Sequence, residues 1–360
     1  MNYTFHLTEK CNLNCTYCYE GEKGSHELPF LDIKKVLDNE VKNGSKKCQI
    51  SFFGGEPLLK KELIYEVINY ADELEKNNDI KFSYSITTNA TLIDKDFIKL
   101  AKKKDFLIGI SLDGNKETHN KNRSTYSGEE TFDLVSDNTR LLLKSVHRVV
   151  AMPVITKNNY KDMVENVCYL FSVGFKHVNC AFDYTANWED KDIEPLRKEY
   201  EKLADVYYEK TKNNNDFSLL PFDNKINTHV KSENCEERCV IATRHINVSS
   251  DGKFYPCMQY VGKNKYQIGD IHSGLDFKKI EELREYAIKN HNDICRECKI
   301  RNRCSHTCGC LNIITTGDFS KISALICETE RMIIEISDRV AEKLYKEGST
   351  EFYRKKYWSL

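Results

Sequence analysis

Residues 3–18 read YTFHLTEKCNLNCTYC. The apolar–polar alternation of Tyr3–Leu7 predicts a β-strand, and the chain runs from it directly into a loop carrying Cys11, Cys15 and Cys18 in CxxxCxxC spacing. Outward from this stretch, as far as about residue 212, short apolar runs alternate with longer amphipathic ones. That is the pattern of repeated strand–helix units around a parallel sheet. Strands are predicted at Tyr3–Leu7, Cys48–Phe53, Lys81–Thr87, Phe106–Leu112, His147–Ile155 and Lys176–Phe182. Helices are predicted at about 31–43, 60–76, 94–104, 129–144, 160–173 and 193–212, where apolar residues recur at three-to-four spacing. Six such units are too few to close an eight-stranded barrel, so the expected fold is α/β, a partial (β/α)6 barrel open along one side. In such barrels the chemistry sits on loops after the C-terminal strand ends.

Three thiolates on so short a loop can cap three corners of a four-iron cubane and leave the fourth iron open to a cofactor. A structural zinc knuckle is the alternative, but it needs a fourth ligand and usually CxxC pairs. The next predicted strand ends in SFFGGEP, which places Gly54, Gly55, Glu56 and Pro57 on the same face. Glycine permits close backbone approach, and a carboxylate beside it can pair with an ammonium group. The third and fourth strands end in TTNATL and GISLDG, adding Thr88, Asn89, Ser111 and Asp113. Asn89 and Asp113 read equally well as turn residues.

The three-cysteine loop, with the aromatic Tyr17 before its last cysteine and GGEP one unit later, resembles the radical S-adenosylmethionine (SAM) superfamily. The resemblance implies a 4Fe–4S cluster on Cys11, Cys15 and Cys18 that binds SAM at its open iron and cleaves it to methionine and a 5′-deoxyadenosyl radical. It further implies that the GGEP segment holds the methionine amino group of SAM, and that Ser111 and Arg123, in HNKNR, contact the cofactor along with Asn89.

The polar stretch Thr211–Asp216 breaks the alternation, and nine of the fifteen cysteines lie beyond it. Apart from a helix around Leu275–Ile288, the region Cys235–Cys327 has little apolar periodicity, so ligation is expected to organise it. The expected segments are a barrel at 1–212, a linker at 213–234, a cysteine-rich domain at 235–327 and a C-terminal helix at 328–360. Twelve residues separate Cys239 from Gly252 and four separate Gly252 from Cys257; Cys295, Cys298, Cys304, Cys308 and Cys327 follow. This order resembles the SPASM domain, which implies two auxiliary 4Fe–4S clusters and three clusters in all. By the family's interleaved pattern, Cys239, Cys257 and Cys308 serve the first auxiliary cluster and Cys295, Cys298, Cys304 and Cys327 the second. Cys235 either completes the first or leaves an iron open to a substrate thiolate, and Cys310 is an alternative ligand. Two zinc sites are the competing reading of the array. Cys48, Cys168 and Cys180 are expected to be small buried hydrophobes.

The 54 Lys and Arg nearly balance the 55 Asp and Glu, so no global field points to nucleic acid or to a membrane surface. No basic segment with an apolar run opens the chain, and no stretch approaches the roughly 18 apolar residues of a membrane span. A cytoplasmic protein is expected, in which so many cysteines point to metal binding rather than disulfides. Auxiliary clusters suit oxidative reactions. Anaerobic sulfatase maturases share this layout and place an Asp base directly after the PC of their YPC motif; here FYPCMQYVG puts Met258 there, and a thioether sulfur is no useful base. With KYQIGDI following, the segment is more similar to maturases of cysteine-rich ribosomal peptides, which form thioethers. Formylglycine formation and carbon–carbon cross-linking are the alternatives. The expected partners are a peptide or protein substrate containing cysteine and a low-potential electron donor such as ferredoxin or flavodoxin. With CxxxCxxC beginning at residue 11, no leader-recognition domain is expected ahead of the barrel.

Overall fold

The computed structural model describes the chain except for residues 21–22, 214–215, 231–241, 243, 290–292, 319 and 356–360. In chain order the first elements are β1 (Asn2–His6), α1 (Phe30–Lys42), β2 (Lys47–Phe53), α2 (Lys61–Asn77), β3 (Lys81–Thr88), α3 (Lys95–Lys103) and β4 (Leu107–Ile110). They are followed by α4 (Lys116–Asn122), α5 (Phe132–Leu143), β5 (Val149–Ala151), β6 (Val154–Ile155), α6 (Met163–Val173), β7 (His177–Asn179) and β8 (Ala181–Phe182). Next come α7 (Asp190–Asn213), β9 (Ser218–Leu220), α8 (Phe222–Val230), β10 (His245–Val248) and β11 (Phe254–Tyr255). The short strands β12 (Gly269–Asp270) and β13 (Gly274–Leu275) and the helices α9 (Phe277–Lys289), α10 (Asp293–Arg296), α11 (Gly309–Thr316), α12 (Ala324–Lys346) and α13 (Thr350–Arg354) follow.

The six expected strand–helix units are all present. The fifth strand is split between β5 and β6 around Pro153, which has no N–H to give a ladder; the sixth is split at Cys180. Residues 213–234, expected as a linker, include β9 and α8. Among the described residues no helix is long and apolar enough to cross a membrane.

The chain forms two compact units, each discontinuous in sequence. Met1–Leu112, His119–Val149 and Val240–Arg284 make the first; Asp113–Thr118, Val150–Cys239 and Glu285–Leu360 make the second. In the first unit the strand order is β11-β10-β1-β2-β3-β4. The ladders are parallel except that β10 and β11 are antiparallel. Alternation decides its faces. Tyr3, Phe5, Cys48, Ile50, Phe52, Tyr84 and Ile86 are buried, while Gln49, Ser51, Phe53, Ser85 and Thr87 remain half-exposed. A parallel sheet covered on both faces would read as continuous apolar runs, so the polar second face is the mark of an interior left open to solvent. On the covered side Phe106 lies 6.2, 5.4 and 6.0 Å from the rings of Phe52, Tyr84 and Phe97.

In the second unit β5, β7 and β9 are parallel neighbours, and β6 pairs with β8. Helix α12 buries Ile326, Met332, Ile333, Ile336 and Leu344 and packs on α7 and α8. Ser323 caps its start by accepting a hydrogen bond from the Ile326 N–H at 3.3 Å.

Candidate cofactor and cluster sites

The loop after β1 is held from two sides. The Gly55 N–H donates to the Thr8 carbonyl at 2.8 Å and the Glu56 N–H to the Lys10 carbonyl at 2.9 Å. Across the loop, the Asn14 N–H donates to the Ser124 carbonyl at 2.8 Å and the Thr16 N–H to the Asn122 carbonyl at 2.9 Å. The two glycines are required by the first seam. A side-chain carbon on Gly54, where φ is +124°, would stand 2.4 Å from the Thr8 oxygen, and one on Gly55 would stand 2.1 Å from the Lys10 oxygen. The close approach that glycine permits is therefore to the chain's own cysteine loop.

Glu56 is buried and its carboxylate accepts three hydrogen bonds: from the Leu58 N–H at 2.9 Å, the Thr88 hydroxyl at 2.7 Å and the Asn89 N–H at 2.7 Å. Burial nonetheless pushes its carboxyl up to about 7, against the pull of those donors. Asn89 acts as a turn residue and also reaches the cysteine loop. Its side-chain oxygen accepts from the Thr91 N–H at 3.0 Å, as a turn residue does. Its amide nitrogen reaches Asn12 Oδ1 at 2.9 Å and the Cys11 sulfur at 3.9 Å. Burial raises the Cys11 thiol to about 11. Arg123, buried and held by the second seam, places its guanidinium 5.2 Å from the centre of the Tyr17 ring and Nη1 3.9 Å from Cys15 Sγ. Ser111 is half-buried, its N–H bonded to the Thr88 carbonyl at 2.9 Å. Asp113, in the second unit, accepts from the Val154 N–H at 3.2 Å.

Two contacts at this loop were not anticipated from sequence. Lys23 Nζ lies 3.1 Å from Cys18 Sγ and 2.7 Å from Glu20 Oε2. Tyr19 points its hydroxyl at Met258 Sδ, 4.0 Å away. Met258 follows Cys257, which is half-buried and precedes the short turn Met258–Tyr260. Neither Lys23 nor Tyr19 belongs to a spaced pattern that a reader of the sequence would pick out.

In the second unit Cys295, Cys298, Cys304 and Cys327 line one cavity, together with Arg301 and His306. Burial, the first cause in each case, raises the thiols of Cys295, Cys304 and Cys327; Cys327 and Cys298 add to it at Cys295, and Glu330 adds to it at Cys304. Among the described residues no three His, Cys, Asp or Glu side chains converge as ligands of a single metal ion. Cys308, at the start of α11, is lowered to about 7, chiefly by a hydrogen bond from the buried Cys310 thiol. Cys310 thus stands beside Cys308. Cys235 and Cys239 lie outside the described residues. Cys48 and Cys180 are buried as expected, but Cys168 is exposed on α6, because it falls on the helix's outer face between the buried Val167 and Leu170.

The sequence profile of the Radical SAM superfamily matches residues 5–167, and that of the SPASM iron–sulfur cluster-binding domain matches residues 239–299. The chain carries a radical SAM domain followed by a SPASM domain. Radical SAM enzymes with a SPASM domain use SAM and 4Fe–4S clusters, and this is such an enzyme. The residues fit those groups: three cysteines share one pinned loop, a buried carboxylate stands beside it, and four further thiols ring a cavity. Among relatives, the cysteine-type anaerobic sulfatase-maturating enzyme of Clostridium perfringens is 29% identical over 322 residues, covering 83% of this chain and 85% of the relative. The antilisterial bacteriocin subtilosin biosynthesis protein AlbA of Bacillus subtilis is 28% identical over 294 residues, covering 74% and 56%. The solved structure of native anSMEcpe with bound AdoMet has the same fold, with a TM-score of 0.80, 24% identity, and coverage of 96% and 99%.

Proposed function

We propose that this radical SAM enzyme oxidises a cysteine-containing peptide or protein, joining the cysteine sulfur to an acceptor carbon as a thioether. The observation that carries the choice of product is Met258, which follows Cys257 and whose sulfur meets the Tyr19 hydroxyl. No proton can usefully be taken up at that side chain. Thioether formation removes one hydrogen from sulfur and one from carbon, and so releases two electrons and two protons.

When bound, the cluster and SAM supply a 5′-deoxyadenosyl radical that abstracts the hydrogen atom from carbon. The chain's own residues do the rest. Cys11, Cys15 and Cys18 are assigned to the SAM cluster, on a loop pinned by Gly54 and Gly55. Glu56, with its geometry fixed by Thr88 and Asn89, would receive the SAM ammonium, and Arg123, braced on Tyr17, would meet its carboxylate. Cys295, Cys298, Cys304 and Cys327 are assigned to one auxiliary cluster. Ferredoxin or flavodoxin is the proposed electron donor, and the auxiliary clusters are the proposed acceptors of the electron left after bond formation.

A second reading is formylglycine formation, favoured by the identity shared with the Clostridium perfringens sulfatase maturase over most of both chains. Thioether formation removes only two hydrogens and keeps the sulfur, whereas formylglycine formation from cysteine also loses the sulfur and gains an oxygen, so intact mass already separates the two. The test is anaerobic turnover of a cysteine-containing peptide, followed by thiol alkylation, a carbonyl probe and tandem fragmentation. A blocked thiol with no carbonyl and a fragment bridging two residues supports the thioether; a free aldehyde in place of the thiol contradicts it.

A further inference from the structure

Cys304 sits on a segment fixed at both of its peptide neighbours by one buried ion pair. Lys225, on α8, and Glu330, on α12, meet at 2.7 Å with both side chains buried. Lys225 Nζ also donates to the Arg303 carbonyl at 3.2 Å, the residue before Cys304. Glu330 Oε2 also accepts from the Ser305 N–H at 2.9 Å, the residue after it. Arg303 is fixed in turn by a two-pronged ion pair to Asp338, both bonds 2.6 Å, and by a 3.0 Å bond to the Lys225 carbonyl. Glu330 stands one helical turn beyond Cys327 on α12. One helix therefore carries one thiol of the cavity and the carboxylate that holds another.

A buried ion pair is a costly way to fix a loop, and hydrophobic residues of similar size often do it as well. What the pair adds is two opposite charges beside a redox group. Iron–sulfur potentials respond to local charge, hydrogen bonding and burial. We propose that Lys225 and Glu330 are positioning residues that hold Cys304 in register with Cys327 and, as a compensated pair of charges, set the potential of the auxiliary cluster in this cavity. This rests on the assignment of Cys295, Cys298, Cys304 and Cys327 to one cluster.

The test is a redox titration, followed by electron paramagnetic resonance and iron content, of the anaerobically reconstituted full chain as wild type, K225M, E330Q and the double variant K225M/E330Q. E330Q leaves an unopposed lysine and raises the potential of one auxiliary cluster. K225M leaves an unopposed carboxylate and lowers it. The double variant returns towards wild type, and the signals of the other clusters stay in place. A merely structural role would not shift the two singles in opposite directions. Shifts of the same sign, no shift, or a double variant no nearer wild type than the singles would overturn the proposal. If a single variant loses the cluster outright, the double variant decides: recovery of about four irons supports compensation, and failure to recover contradicts it. A wild type lacking this cluster's iron would defeat the ligand assignment instead, a distinct outcome.

Discussion

Glu56 is the side chain proposed to receive the SAM ammonium. Burial raises its carboxyl from an ordinary 4.5 to about 7, so the ionised form is disfavoured in the folded chain. Its contribution to stability is therefore present at low pH and is lost as pH rises through about 7. Cofactor binding runs the other way, because an ammonium partner requires the carboxylate. SAM affinity should hold above pH 7 and fall by up to about tenfold per unit below it, as measured by calorimetry on the reconstituted enzyme. In E56Q affinity should be weaker and flat across that window; a wild-type profile flat from pH 6 to 8 would contradict the assignment. Gly55 tests the loop itself. In G55A the new carbon meets the Lys10 carbonyl, and loss of the iron carried by Cys11, Cys15 and Cys18 is expected, with the auxiliary clusters retained. These residues were legible because they stand in fixed spacings. Their partners, Thr88 on Glu56 and Arg123 on Tyr17, depend on three-dimensional proximity that spacing does not encode.

At the scale of elements, the six strand–helix units were legible because each helix repeats its apolar stripe over several turns and each long strand alternates. Strands of two to four residues, such as β9, β10 and β11, offer too short a period to read, and β10 lies in a region expected to be organised by its cysteines. The pairing of β10 with β1 therefore emerges only from the structure. Beneath β2, β3 and β4 the aromatic group around Phe106 anchors the helices to the sheet. Phe106 is fully buried, so F106A should cost about 3–5 kcal/mol. A urea unfolding curve followed by near-ultraviolet circular dichroism would read this, and a shift under about 1 kcal/mol would contradict the packing described. A C-terminal helix was expected at 328–360, and α12 occupies Ala324–Lys346; that it joins Cys327 and Glu330 on successive turns was not foreseen.

For the molecule as a whole, the cysteine loop assigned to SAM cleavage lies in one compact unit and the four thiols that line a cavity lie in the other. The sequence made both cysteine arrays visible through their spacing, but it did not show the interleaving of the units along the chain. The most direct test is iron content paired with 5′-deoxyadenosine formation in wild type, C15S and C298S, each reconstituted anaerobically. Wild type should hold about twelve irons per chain, and each variant about eight. C15S should form no 5′-deoxyadenosine under strong reduction, whereas C298S should still form it. About four irons in wild type, or SAM cleavage by C15S, would contradict the account.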